Sequence, residues 1–91
     1  MNHFLYVEQS DKVLRELNNF LCEGDYMWPN GQKVVGNRLT ITEPTIVEIN
    51  MSTKSCWLVL GEEYLNTSQR KRITPVQNFL LKQNFKKLGF L

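Results

Sequence analysis

Few side chains in this 91-residue sequence are equipped for chemistry, and they are scattered. The only histidine is His3, which reads as a partly exposed strand residue near the chain start, and the only cysteines are Cys22 and Cys56. A zinc site draws its ligands from closely spaced Cys pairs and further histidines. Neither pattern exists here, so no metal is expected. Cys22 falls near the end of a predicted helix, where the negative end of the helix dipole disfavours a thiolate, and both cysteines read as buried, inert, reduced thiols. Glu62-Glu63 is the only adjacent pair of carboxylates and would be the starting point for general acid–base work or a divalent-cation site. Adjacent side chains usually diverge, however, and Glu43 and Glu48 stand elsewhere in the chain, so a solvated turn is the better reading. The five glycines are dispersed, without a phosphate-binding loop. No catalytic residue, no cofactor and no small-molecule substrate is expected, and the chain should act by binding.

Charge is where the sequence departs most from an average one. Residues 64–91 contain Arg70, Lys71, Arg72, Lys82, Lys86 and Lys87 and no acid, for +6, whereas residues 1–63 carry −4, which together give the net +2. Such a split is the footprint of an electrostatic partner, and nucleic acid is the first candidate for one. Against it stand a pI of 8.6 and the lack of any known reader motif.

These residues have to be positioned by elements that the sequence pattern predicts. Ser10 is placed to cap a helix from Asp11 to about Glu23, in which Val13, Leu14, Leu17, Phe20 and Leu21 share one side at helical spacing. Asp11 and Arg15 form an i,i+4 pair, and Gly24 reads as the stop. Before this helix, residues 3–8 read as a short strand. From Asp25 to Gly61 the period changes to two, with turns at Trp28-Pro29-Asn30-Gly31, at Gly36-Asn37 and at residues 52–55. Strands are expected at about 25–28, 32–35, 38–43, 45–51 and 56–60, as an antiparallel meander, with Pro44 at an edge or bend because it cannot donate to a ladder. Cys56-Trp57-Leu58-Val59-Leu60 is apolar at every position and reads as the central strand, buried on both faces. Residues 61–73 have no clear period and read as a long, mobile basic loop. Thr74 as cap, Pro75 at the first helical position and Gln77 three residues after the cap then predict a second helix to about Leu88, stopped by Gly89.

On a helical wheel this last segment is apolar on two sides. Val76, Phe79 and Leu80 make one stripe, and Leu81, Phe85 and Leu88 make another, with Lys82 and Lys86 in the sector between. A helix of that kind is either buried between layers or offers its second side to a partner.

The expectation is therefore one α+β domain over residues 1–91, built from an amphipathic N-terminal helix, a meander of four to five strands and a basic C-terminal helix. Hydrophobic content of 42% and charged content of 22% suit a single folded core. No apolar run reaches the roughly 18 residues of a membrane span, and Phe4 to Val7 is too short for a signal-peptide core. A cytoplasmic protein without a membrane partner is expected. The partner is expected to be another protein or a second copy of the chain, engaged through Arg70, Lys71, Arg72, Lys82, Phe85, Lys86 and Leu88. Nucleic acid on the same basic segment is the alternative. The absence of alanine, with Asn abundant, fits codon pressure in an AT-rich genome such as that of a phage or mobile element.

Overall fold

In the computed structural model, which describes residues 2–8, 10–36, 39 and 45–89, the helix α1 (Asp11–Glu23) turns Val13, Leu14, Leu17 and Leu21 into the core. Ser10 occupies the cap position with an extended backbone, but its side chain makes no capping bond. Its carbonyl accepts from Leu14 N–H at 2.9 Å, which starts the helical ladder. Asn18 is fully buried on the same helix because its Nδ2 donates to the Gly36 carbonyl at 2.8 Å, tying α1 to the segment that follows. The helix ends differently from the simple glycine stop. Gly24 keeps φ at −84°, and the left-handed residue is Asp25, at φ 59°. The chain then doubles back, with Tyr26 N–H bonded to the Leu21 carbonyl at 3.0 Å and its ring fully buried against Gly24.

The strands are β1 (Asn2–Val7), β2 (Thr45–Asn50), β3 (Ser55–Val59) and β4 (Ile73–Pro75). They form one sheet in the order β3-β2-β1-β4. The chain is α+β, but the sheet is mixed: β1–β2 and β2–β3 are antiparallel, whereas β1–β4 is parallel. This corrects the purely antiparallel meander. Of the strands expected at 25–28 and 32–35, only isolated bridges exist, Met27 with Lys33 and Met27 with Ser55. The turn between them is built on Trp28 and Pro29. There Gly31 N–H donates to the Trp28 carbonyl at 2.9 Å, and Gly31 lies in the left-handed region at φ 85°. The strand expected at 38–43, apart from buried Leu39, lies outside the described residues, as do Asn37 and Pro44. The β2–β3 hairpin is closed by Asn50, whose Oδ1 accepts from the N–H groups of Ser52 and Thr53 at 3.0 and 3.1 Å, the usual way an asparagine builds a turn.

The two inner strands carry buried side chains on both faces. Leu5, Val7, Val47, Ile49 and Cys56 face α1 and the C-terminal helix α3 (Val76–Lys87) in the main core. Phe4, Ile46 and Val59 face the other way, under Leu65 with Ile73 packed alongside. The central strand is therefore β1 beside β2, and Cys56 to Val59 lies at the edge of the sheet. Trp57, Leu58 and Leu60 are exposed at 50%, 39% and 78%. An apolar run reads alike whether it is enclosed or shows one side to solvent, so composition could not tell the two apart.

Residues 61–73 also differ from an irregular loop. They contain a 3-10 turn at Glu62–Tyr64, the one-turn helix α2 (Thr67–Arg70) and the start of β4. Asn66 and Gln69 satisfy each other's backbone N–H groups at 2.8 and 2.9 Å, a reciprocal cap that fixes so short a helix. Thr74 and Pro75 stand in β4 opposite Leu5 and Tyr6, so α3 starts at Val76 with no side-chain cap bond. A residue before proline is pushed toward extended backbone, which suits a strand end as well as a helix entry. Gly89 takes up the left-handed region after α3, at φ 84°.

Gly24 gives a direct check on the packing after α1. A Cβ there would sit 2.6 Å from Cε1 of the buried Tyr26 ring, although φ is ordinary for alanine. Gly24→Ala should therefore destabilise the fold, by about 1–3 kcal/mol for overpacking, where an unobstructed helix-end substitution would be neutral or better. Urea denaturation of the two proteins measures the difference.

Candidate functional site

The side chains with chemical potential occupy separate places. His3 is half-buried on β1, its ring 4.9 Å from that of Phe79. Burial lowers its pKa below the usual histidine value, and neighbouring positive charges, Arg72, Lys86 and Lys82 among them, lower it further. Cys56 is buried, its thiol pushed up to about 11 by burial, and its Sγ donates to the Met27 carbonyl at 3.7 Å. Cys22 is exposed, contrary to the buried position expected for it. Glu62 and Glu63 are exposed in the 3-10 turn. Glu48 lies on β2, where one carboxylate oxygen accepts from Trp57 Nε1 at 2.9 Å and the other from Asn2 Nδ2. Among the described residues no three His, Cys, Asp or Glu side chains gather in a way that would hold a metal ion. No described helix is long and apolar enough to cross a membrane.

The basic residues do not form one run in space. Arg70 Nε donates to the Glu62 carbonyl at 2.9 Å, and Lys71 caps the end of α2 in solvent. Arg72 instead reaches β1, donating to the Asn2 carbonyl with its guanidinium 5.3 Å from the centre of the Phe4 ring, within the range of a cation–π contact. Lys82 and Lys86 lie one turn apart on α3, exposed. Arg70 and Arg72 are thus aimed at different parts of the fold, the Glu62 carbonyl and the end of β1.

On α3 the two apolar stripes separate. Val76, Phe79 and Leu80 are buried, and Phe79 meets Phe20 of α1 edge to face at 5.3 Å, a favoured arrangement for an aromatic pair. Leu81, Phe85 and Leu88 are exposed at 54%, 41% and 69%. Between α1 and α3 runs a groove whose rim has opposite charges, Glu16 and Glu23 on one side and Lys86 and Lys87 on the other.

A second apolar surface was not expected from the sequence. Trp57, held by its bond to Glu48, separates two hollows on the sheet face away from α1. One, of about 280 Å³, is lined by Asn2, Pro29, Asn50 and Ser55; the other, of about 340 Å³, lies between Leu58, Leu60, Tyr64 and Gln69. Its signal in the sequence is the absence of charge in residues 55–60, a pattern that burial on both faces would also produce.

The surroundings of His3 can be tested through its titration. Its folded pKa lies below its unfolded value near 6.5, so the unfolded chain takes up the proton first. The contribution is fully present above about pH 6.5 and is lost as pH falls from there through the folded pKa. The stability of wild type should drop more between pH 7 and pH 5 than that of His3→Gln. Equal slopes in denaturation series at these pH values would mean that burial and neighbouring charge do not lower the pKa of the ring.

No family model matches the sequence, and no curated protein and no solved structure matches it either.

Proposed function

We propose that the chain is a non-catalytic binding protein that acts on a protein partner, as an inhibitor or adaptor, through the outer side of α3. The observation that supports this is the division of one helix into a buried stripe, Val76, Phe79 and Leu80, and an exposed one, Leu81, Phe85 and Leu88. Protein interfaces place aromatic and aliphatic anchors at their centre and charges at their rim. Phe85 between two leucines, flanked by Lys82 and Lys86, has that composition, and an acidic rim on the partner would complement it.

A second reading is favoured by the exposed cations Arg72, just before β4, and Lys82 and Lys86 on α3. Cations attract phosphate, so a nucleic-acid strand along β4 and α3 would engage them. Its affinity would fall with salt at a log–log slope near −0.9 per phosphate contact on duplex DNA, whereas an apolar helix interface would change little.

Phe79→Ala and Phe85→Ala separate the stripes. Truncating Phe79 should cost about 3–5 kcal/mol, since the ring is enclosed by Phe20 and His3. Phe85→Ala should leave most of the stability in place and abolish retention of a nuclease-resistant protein partner on the immobilised chain. Similar destabilisation by both substitutions, or unchanged retention by Phe85→Ala, would show that the outer stripe is ordinary structure. Retention lost only on nuclease treatment would favour the second reading.

A further inference from the structure

We propose that the outer edge of β3 pairs with the same edge of a second copy of this chain, antiparallel and centred on Val59, so that two protomers share one continuous sheet. The inference is independent of the α3 surface and begins with the direction of the backbone groups. Cys56 N–H points away from β2, because it donates to the Met27 carbonyl at 3.0 Å. Backbone groups alternate along a strand, so Leu58 and Leu60 also point outward, while Trp57 and Val59 are turned to β2. Met27 covers the edge as far as Cys56. Beyond it, among the described residues, nothing pairs with the outward backbone groups of Leu58 or Leu60.

This edge lacks the usual protection. Open strands are guarded by charge, proline, bulges or brevity. The opposite edge, β4, is three residues long and ends on Pro75. The sequence from Ser55 to Leu60 has neither charge nor proline, and its exposed apolar members are Trp57, Leu58 and Leu60. The chain stays extended at Gly61, with φ −173° and ψ 165°, so the pairing segment reaches past the end of β3.

Two-fold symmetry restricts the register. Outward-facing residues must meet outward-facing residues to exchange hydrogen bonds. Centring the pair on Leu58 would demand the Cys56 N–H that Met27 already holds. Centring it on Leu60 would require Glu62, which belongs to the 3-10 turn. Centring it on Val59 sets Leu58 opposite Leu60 of the second copy, twice over, with backbone groups open on both sides. Val59 then meets Val59 in the close pair, and Trp57 stands opposite Gly61.

Charge selects a second copy of this chain as the occupant. Lys54 precedes the segment and Glu62 and Glu63 follow it. Antiparallel pairing brings the lysine end of each copy to the glutamate end of the other, and the uncharged segment between them carries nothing to repel itself.

Sedimentation velocity of the full chain over rising concentration tests this with Leu58→Glu, Leu60→Lys and Phe85→Ala. Wild type should dimerise, and so should Phe85→Ala, which separates this edge from association through α3. Leu60→Lys alters a side chain already in solvent, and it should be folded and monomeric, as should Leu58→Glu. Mixing those two variants should restore a dimer, because Leu58 of one chain faces Leu60 of the other and the introduced charges then meet. A wild type monomeric at every concentration would overturn the proposal and leave the edge to a different chain. A dimer that persists in Leu60→Lys would also overturn it, and a mixture that stays monomeric would overturn the register.

Discussion

Strand β1 pairs with β2 on one side and β4 on the other while burying Phe4 on one face and Leu5 and Val7 on the other, and the remaining structure is arranged to meet that requirement. A strand in this position needs two sets of backbone partners and two apolar layers. Leu5 and Val7 take their layer from α1 and α3, and Phe4 takes its own from Leu65, Ile73 and the inner strand β2. The first residues of the chain thus depend on its last third, which must return to lie parallel to them. Because β4 runs directly into α3, the same pairing sets where that helix begins and which stripe of it meets Phe20.

That dependence explains how the charges are distributed. The basic run at residues 70–72 crosses from a surface turn into the sheet within three residues. Its members are therefore aimed apart, Arg70 to the Glu62 carbonyl and Arg72 across Phe4 to Asn2. Arg72 serves the fold by holding the end of β1, and its charge helps to lower the pKa of His3. Glu48 on β2 and the Glu62–Glu63 turn after β3 carry negative charge elsewhere.

The two edges of the sheet are unlike for the same reason. The edge at β4 is occupied by a short segment that ends on proline and turns into a helix, so it offers little ladder to another strand. At β3 the ladder continues into an extended glycine, and apolar side chains stand on both sides of it. Met27 covers only the first part. The outer stripe of α3 is a second apolar surface, built on a different element and bordered by lysines.

What the sequence determined by itself was local. The spacing of Val13, Leu14, Leu17 and Leu21 puts these side chains on one side of a helix, and in the structure all four are buried. Proline and glycine after Trp28, and glycine at position 89, mark places where the backbone must turn or enter the left-handed region, and it does so at Gly31 and Gly89. The alternation of Val76, Phe79 and Leu80 with Leu81, Phe85 and Leu88 likewise separates into buried and exposed stripes. Strand order was not local. Phe4 to Val7 and Cys56 to Val59 are both short apolar runs, and only the tertiary structure assigns one to the middle of the sheet and the other to its edge. Thr74-Pro75 suits a helix entry or a strand end equally, and its pairing with Leu5 and Tyr6, far away in sequence, decided between them. The physical reason is that side-chain period and backbone preference are properties of neighbouring residues, whereas burial and pairing depend on which distant segment supplies the second layer and the second ladder.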